Sequence, residues 1–194
     1  DWNVDFAAWC HYKYINSGPG ATAGYFVHER HHGDANIPRF EGWWGHDKAT
    51  RFEMPETFVP IPTAEAWQLS NAPVMAMAPL RASLDVFDRA GLENLRAKSR
   101  KLTAYLQEVL EEVVRASGSN FEIITPKDER GAQISLLVHG YGRPLFDYLM
   151  EQGVIADWRE PNVIRMAPVP LYNNFEDIRA FGIILLNYLN EQGV

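Results

Sequence analysis

The chain has 194 residues, of which 46% are hydrophobic, and 18 basic against 25 acidic residues give a formal net charge of -7. This length suits one domain or two small ones with a buried core, whereas the acidic balance argues against general binding to nucleic-acid phosphates. The single cysteine, Cys10, excludes an internal disulfide, and no apolar run is long enough to span a membrane, so we expect a cytoplasmic protein without nucleic-acid or membrane partners.

The first third of the chain predicts two short strands followed by a long irregular segment. Residues 4–9 have the composition of a buried strand, and residues 21–28 that of a second strand. Residues 29–63 are rich in Gly and Pro and much longer than the usual connection of about 4–6 residues, which is typical of a functional loop. The adjacent His31 and His32 point in different directions and no matching ligand set follows, so we expect no metal site.

The rest of the chain has the periodicities of a small α+β domain. Helical spacing of apolar residues predicts four helices: residues 74–89, a second from Leu95 to about residue 115 after a break at Gly91, residues 145–150, and residues 176–189. Alternation of apolar residues predicts four strands, over residues 121–125, 133–138, 154–157 and 163–166. The charged face of the second helix is interpreted as solvent-exposed.

The residues around Lys13 suggest a reactive amine beside a tight turn. Lys13 leaves the first strand between Tyr12 and Tyr14 and is followed closely by Asn-Ser-Gly-Pro-Gly. Burial lowers the pKa of an amine, and a neutral amine can form a Schiff base. The alternative is a surface lysine whose stem covers aromatic rings, which is the commoner environment of a lysine.

Five other residues are candidates for function, each with a structural alternative. Trp43 and Trp44 would also suit a core, His46 a hydrogen-bonded loop, and Asn71, which precedes Ala-Pro, a turn. Arg165 lies in a strand-like Val-Ile-Arg-Met context, where an inward guanidinium is costly without an anion. That cost favours a binding role for Arg165.

Several blocks of sequence resemble those of one enzyme family. Residues 10–20, Cys-His-Tyr-Lys-Tyr-Ile-Asn-Ser-Gly-Pro-Gly, are similar to the lysine segment of the kynureninases, which are pyridoxal-phosphate (PLP) enzymes of fold type I in the class V aminotransferase branch. Further blocks resemble the family in the same order: Gly-Trp-Trp-Gly-His at 42–46, Thr-Arg-Phe at 50–52, Leu-Ser-Asn-Ala-Pro at 69–73 and Ile-Arg-Met-Ala-Pro-Val-Pro-Leu-Tyr-Asn at 164–173. The resemblance covers essentially the whole chain.

The resemblance implies an α/β fold of type I and a division into two parts. Residues 1–78 would be the C-terminal remnant of the PLP-binding large domain, and residues 79–194 the small α+β C-terminal domain. Such enzymes place their phosphate loop, their ring-stacking aromatic residue and their pyridine-binding aspartate upstream of the lysine, and this chain starts at Asp1, shortly before Lys13. We therefore expect the C-terminal half of a kynureninase, truncated or split, that is inactive alone and forms a homodimer with shared active sites.

Four matched positions imply contacts with PLP. Lys13 would form the Schiff base and, once released by the substrate, move a proton from the substrate Cα to the cofactor. Tyr12 would donate a hydrogen bond to the cofactor phosphate and assist proton transfer, because a phenol is a neutral donor at pH 7. Trp43 and Asn71 match cofactor-binding positions, and their N–H groups suit phosphate oxygens.

Three further positions imply contacts with the substrate. Trp44 and His46 match residues near its aromatic ring, where they would stack and donate a hydrogen bond, and Arg165 would bind its α-carboxylate. The implied reaction is the hydrolysis of L-kynurenine or 3-hydroxykynurenine to an anthranilate and L-alanine, in tryptophan catabolism and the synthesis of NAD precursors. The alternatives are another fold-type-I enzyme, such as a cysteine desulfurase-like lyase, and an inactive half-chain that associates with an N-terminal partner.

Overall fold

The computed structural model describes residues 2–34, 36–118 and 120–193, so Asp1 lies outside the described part of the chain. Contacts divide the chain into two units, Asp1–Arg89 and Ala90–Val194. The predicted domain boundary after residue 78 falls before this division, and the assignment of the parts to a large and a small domain stays a prediction. Among the helices of the described residues, none is long and apolar enough to cross a membrane.

The first unit consists of a hairpin, an irregular segment and a helix. Strand β1 (Phe6–Cys10) pairs with the antiparallel strand β2 (Ala23–Val27), which confirms both predicted strands. Helix α1 (Val74–Ala90) ends the unit and confirms the first predicted helix. The segment between β2 and α1 contains two short 3₁₀ turns, Glu29–His31 and Ala64–Trp67, and no other helix or strand among its described residues.

The prediction that the first strand is buried is wrong. Phe6 and Trp9 of β1 are 48% and 44% exposed, and four of the five residues in the strand are exposed. Within the described residues the sheet has only its two strands, so no further strand covers either outer edge. The apolar composition of β1 therefore marks a surface that the described residues leave open.

The second unit packs helices against a four-stranded antiparallel sheet. Its strands, in the sheet order β3-β4-β6-β5, are β3 (Phe121–Ile123), β4 (Ile134–Val138), β6 (Val163–Met166) and β5 (Asp157–Arg159). Its helices are α2 (Leu92–Ala116), α3 (Gly142–Glu151) and α4 (Phe175–Glu191). The predicted helices and three of the four predicted strands are confirmed in position.

The core of the second unit follows from helical periodicity. Leu102, Leu106 and Leu110 recur every four residues along α2 and are almost fully buried. They pack in one cluster with residues of the sheet and with Leu185 and Leu189 of α4. Burial of one such side chain contributes about 1.5–3 kcal/mol, so this cluster is the main source of stability in the unit.

Strand β5 lies further along the chain than the alternation predicts. Residues 154–156 precede it, and Val154 and Ala156 pack against the core. The strand itself pairs with β6 through Asp157 opposite Arg165 and Arg159 opposite Val163. Alternating apolar residues thus reflect packing here rather than strand pairing.

Helix α4 begins with a capping box. The Asn174 side chain accepts hydrogen bonds from the amides of Glu176 and Asp177, at 2.8 and 3.2 Å. The Asp177 carboxylate accepts one from the Asn174 amide at 2.9 Å and one from the Asn173 side chain at 3.1 Å. These bonds satisfy amides that the start of a helix leaves unpaired.

We expect Asp177 to make the stability of the second unit depend on pH. The bond from the Asn174 amide, followed by that from Asn173, holds the pKa of the Asp177 carboxyl below its usual range. Such a group stabilises the fold fully above its unfolded pKa of about 3.9, and this stabilisation is lost as the pH falls through the lower folded value. Urea unfolding should show a stability gap between wild type and Asp177→Asn that closes below about pH 4. A gap independent of pH would contradict the expectation.

Candidate functional site

Lys13 lies in a tight loop that continues β1. The Asn16 amide donates to the Lys13 carbonyl at 2.9 Å, and the Ser17 amide donates to the His11 carbonyl at 3.2 Å. Asn16 has a φ of 55°, a left-handed conformation that Asn adopts more readily than most residues. The sequence Asn-Ser-Gly therefore supplies the backbone geometry that closes the loop around Lys13.

Helix α1 holds the same loop from the other side. The Ser83 hydroxyl donates a hydrogen bond to the Ile15 carbonyl, and the Tyr14 ring lies 6.3 Å from that of Phe87. Phe87 is buried on α1, so the loop is attached to a regular element. A loop fixed in this way holds the Lys13 backbone in place.

The Lys13 side chain is exposed in the described structure. Its Nζ lies 5.8 Å from the centroid of the Tyr12 ring. The expected burial of the amine is thus not provided by the described residues of this chain. An exposed lysine whose amine lies near an aromatic ring is what the surface-lysine alternative predicts.

Two polar side-chain atoms of the Lys13 loop are buried with no hydrogen-bond partner in the part of the chain that the structure describes. Neither the Asn16 Nδ2 nor the Ser17 Oγ has a hydrogen-bond partner among the described residues. An unpaired buried polar group costs about 1–3 kcal/mol, and a ligand with acceptor oxygens would remove that cost. An amine, a phenol and two unpaired donors in one loop fit PLP, which carries an aldehyde and a phosphate.

Tyr12 is in contact with the single cysteine. The Cys10 thiol and the Tyr12 hydroxyl are 3.3 Å apart, and this hydrogen bond raises the pKa of the Tyr12 phenol above its usual value. The phenol is therefore protonated at neutral pH. It can therefore donate a hydrogen bond, which the predicted role of Tyr12 requires.

His11 is absent from the predicted site residues, yet it organises the base of the Lys13 loop. Its Nδ1 donates to the Thr22 carbonyl at 2.7 Å, and its Nε2 accepts from the Trp9 indole at 2.9 Å. Trp9 lies opposite Gly24 in the hairpin, and a Cβ on Gly24 would be only 2.7 Å from the indole. A glycine opposite a tryptophan in a predicted hairpin is the sequence signal that could identify this arrangement.

Trp43 and Trp44 form an aromatic cluster with Arg51. The two indoles pack edge to face with centroids 5.1 Å apart. The Arg51 guanidinium lies 5.0 Å from the Trp44 ring centroid, and its Nη2 donates to the carbonyls of Trp44 and His46, at 2.9 and 3.0 Å. Arg51 lies in the Thr-Arg-Phe block, but no role was predicted for it; the structure shows that it holds the Trp-Trp-Gly-His turn by its backbone.

The two glycines of this turn lie against the chain segment 66–69. A Cβ on Gly45 would be 2.6 Å from the Ala66 carbonyl oxygen, and one on Gly42 would overlap the Leu69 backbone. No side chain fits at either position. The Gly-Trp-Trp-Gly spacing is thus required by close packing of backbone on backbone.

His46 is 5% exposed and uses both ring nitrogens within the loop. Its Nδ1 accepts from the Val59 amide at 3.2 Å, so the proton is on Nε2, which lies 3.0 Å from the Thr50 hydroxyl. These contacts correspond to the structural alternative for His46. Its predicted contact with the substrate would require Nε2 to exchange partners.

The two remaining predicted residues, Asn71 and Arg165, have polar contacts of their own. Asn71 is exposed in the segment before α1, where its Oδ1 accepts from the Ser70 hydroxyl at 3.0 Å. Arg165 lies on β6 in the second unit, and its side chain is 32% exposed. Its Nε and Nη2 contact one oxygen of Asp157, at 2.6 and 2.5 Å. The anion that Arg165 was expected to require is thus present in the chain itself.

Solved structures show which class of protein has this fold. The cystine C-S lyase C-DES, in complex with cysteine persulfide, matches 95% of this chain and 47% of its own with a TM-score of 0.74 and 18% identity. A variant of the same lyase, with glycine covalently linked to its PLP cofactor, matches with a TM-score of 0.68 and 18% identity, over 95% of this chain and 46% of its own. The chain therefore has the fold of the C-terminal part of a fold-type-I PLP-dependent enzyme.

Sequence comparison narrows this class. A family described as the kynureninase C-terminal domain matches residues 95–185. The kynureninase of Flavobacterium psychrophilum is 57% identical over 187 residues, 95% of this chain and 44% of that relative, and the kynureninase of Stenotrophomonas maltophilia is 58% identical over 183 residues, 91% of this chain and 42% of that relative. The chain belongs to the kynureninase family and spans less than half the length of these relatives.

Proposed function

We propose that this chain is the C-terminal part of a PLP-dependent kynureninase that hydrolyses L-kynurenine or 3-hydroxykynurenine to an anthranilate and L-alanine. One observation carries the proposal: the 57% identity with the Flavobacterium psychrophilum kynureninase runs through 95% of the chain. The arrangement around Lys13 supports it, because an amine, a protonated phenol and two polar groups without a partner among the described residues lie in one loop.

Lys13 and Tyr12 are proposed as the catalytic pair. PLP, when bound, supplies the electron demand that permits cleavage beside the substrate carbonyl. Lys13 holds the cofactor through its amine and then moves the proton of the substrate Cα, since the loop fixes its backbone while leaving the side chain free to move. Tyr12 donates a hydrogen bond to an oxygen of the cofactor phosphate and assists proton transfer at the reacting carbonyl.

Trp43 and Asn71 are proposed to contact the cofactor, and Trp44 and His46 the substrate. The indole N–H of Trp43 and the amide of Asn71 suit phosphate oxygens, and both side chains are exposed. Trp44 would face the substrate ring on the side opposite Arg51, whose guanidinium lies 5.0 Å from the Trp44 centroid. His46 would donate to the substrate only after releasing Thr50.

Arg165 is proposed to bind the substrate α-carboxylate. A guanidinium presents donors on two edges, and the contacts with Asp157 use its Nε and Nη2. No hydrogen bond from Nη1 is present among the described residues, so that side remains for an incoming carboxylate. This division of the donors supports a binding role in addition to the internal ion pair.

The proposed enzyme includes an upstream segment and a second copy of the chain. The relatives are more than twice as long as the part matched here, so the activity is proposed for the longer protein. Large apolar side chains of the first unit are highly exposed, which is typical of surfaces that contact another segment or subunit: Phe40, Phe52, Met54 and Met75. We propose a homodimer in which such surfaces are covered.

A cysteine desulfurase-like activity is the weaker alternative. Solved desulfurases share the fold at 16% identity, whereas the kynureninases share 57–58%. Identity at the lower level indicates the fold alone. Cysteine is therefore included below only as a competing substrate.

A chimaera tests the proposal. It joins the upstream part of the Flavobacterium psychrophilum kynureninase to this chain and replaces the matched part of that relative. We expect the chimaera to bind PLP, to be a dimer by size-exclusion chromatography, and to release anthranilate from L-kynurenine, measured by liquid chromatography. The 194-residue chain alone should release none.

The same preparation supplies the control and the opposing outcome. The natural full-length relative, expressed in parallel, shows the turnover that the upstream part supports with its own C-terminal part. A chimaera that is dimeric and binds PLP, yet leaves kynurenine intact or prefers cysteine, would contradict the proposed function. Release of anthranilate by the isolated chain would show that no upstream segment is required.

A further inference from the structure

We infer that Asp157 is a positioning residue that sets the orientation of the Arg165 guanidinium for binding of the substrate α-carboxylate, an inference that rests on the function proposed above. The two residues lie on adjacent strands of the second unit: Asp157 is on β5 and Arg165 is on β6. They occupy directly opposed positions in the antiparallel register. The pair is therefore built into the sheet rather than formed between mobile loops.

The contact geometry fixes the guanidinium in one plane. A single oxygen of Asp157, Oδ2, lies 2.6 Å from the Arg165 Nε and 2.5 Å from its Nη2. Two donors on one acceptor restrict the rotation of the guanidinium about its last side-chain bonds. The edge that carries Nη1 is then presented in a defined direction. The N–H donors at that edge are therefore already oriented before a substrate carboxylate binds to them.

The charge of the cluster remains suitable for an anion. The Nε of Arg159 lies 3.2 Å from the same Asp157 oxygen, so two guanidiniums share one carboxylate and leave one net positive charge. Asp157 thus orients Arg165 without cancelling the attraction for a substrate carboxylate. Arg159 is 59% exposed and Arg165 32% exposed, so Arg165 is the better shielded of the two cations.

The test compares ligands that differ only in the carboxylate. In the chimaera, L-alanine carries the α-carboxylate of the substrate and ethylamine lacks it. We expect Asp157→Asn to raise the KM for L-kynurenine and the inhibition constant of L-alanine about tenfold, with kcat and the inhibition constant of ethylamine unchanged within about twofold. Asp157→Glu, which keeps the charge, should recover part of the affinity for L-alanine.

Asp147→Asn is the matched control. The Asp147 carboxylate accepts a hydrogen bond from the Nε of Arg143 at 2.8 Å on the surface of α3, and its side chain is 56% exposed. Its replacement should therefore leave the KM for L-kynurenine and both inhibition constants unchanged. Urea unfolding of each variant reports any general loss of structure.

Three outcomes would overturn the inference, and they are distinguishable. If Asp157→Asn weakens L-alanine and ethylamine equally, Asp157 supports the fold and does not orient Arg165. If Asp157→Asn changes neither constant while Arg165→Lys weakens L-alanine, Arg165 binds the carboxylate without help from Asp157, and the proposed function stands. If Arg165→Lys also leaves L-alanine binding unchanged, the proposed role of Arg165 fails and the role of Asp157 fails with it.

Discussion

Replacement of Lys13 by alanine in the chimaera is expected to lower kcat for L-kynurenine by about 10³-fold or more, because one amine both holds the cofactor and moves the substrate proton. The variant should fold normally, since the Lys13 side chain is exposed and the loop is closed by backbone bonds and by contacts with α1. Turnover is measured by release of anthranilate, and folding by the urea midpoint. Added methylamine should restore part of the proton transfer.

Lys48→Ala is the control for this experiment. Lys48 is also an exposed lysine of the first unit, and its Nζ pairs with Glu65 at 3.0 Å. Its removal should change kcat by less than about twofold, because exposed ion pairs contribute little. If Lys13→Ala retained the activity of Lys48→Ala, Lys13 would not be the catalytic amine.

Replacement of Gly42 by alanine is expected to have the largest effect on stability, about 3 kcal/mol. A Cβ at this position overlaps the backbone of Leu69, and a backbone cannot move aside as the end of a flexible side chain can. The Trp43–Trp44 turn would have to separate from segment 66–69. Urea unfolding of the 194-residue chain, followed by circular dichroism, measures the loss.

Gly131→Ala supplies the comparison for Gly42. Gly131 has no heavy atom within 4 Å of a Cβ, so alanine there should change stability by less than about 1 kcal/mol. Gly45→Ala should resemble Gly42→Ala, because its Cβ would lie 2.6 Å from the Ala66 carbonyl oxygen. Equal midpoints for Gly42→Ala and Gly131→Ala would show that the turn does not depend on close backbone packing.

Helices were predictable because their signal is local. The spacing of Leu102, Leu106 and Leu110 alone defines the buried face of α2, and the structure buries that face. Strand burial was less predictable, as β1 and β5 show. Whether a strand is covered depends on which other segments are present, and alternation cannot distinguish pairing from packing.

Candidate site residues can be proposed from sequence where residue type and order resemble a motif, as for Lys13, Trp43 and Arg165, whose roles remain predictions. The residues that hold them, such as His11 and Asp157, could not be found in this way, because their partners are brought near by the hairpin and by the register of β5 with β6. Pairings of this kind depend on where each strand begins, which is the least certain part of a prediction from sequence.

The positions of the tryptophans in the sequence allow the fluorescence of the two units to be distinguished. Five of the six indoles belong to the first unit, and Trp158 alone belongs to the second. The Trp158 indole donates to Glu160 at 2.9 Å, and its ring lies 5.9 Å from that of Phe146. Intrinsic emission of the chain therefore reports chiefly on the first unit. With the other five replaced by phenylalanine, the emission of Trp158 would report on the strand that carries Asp157.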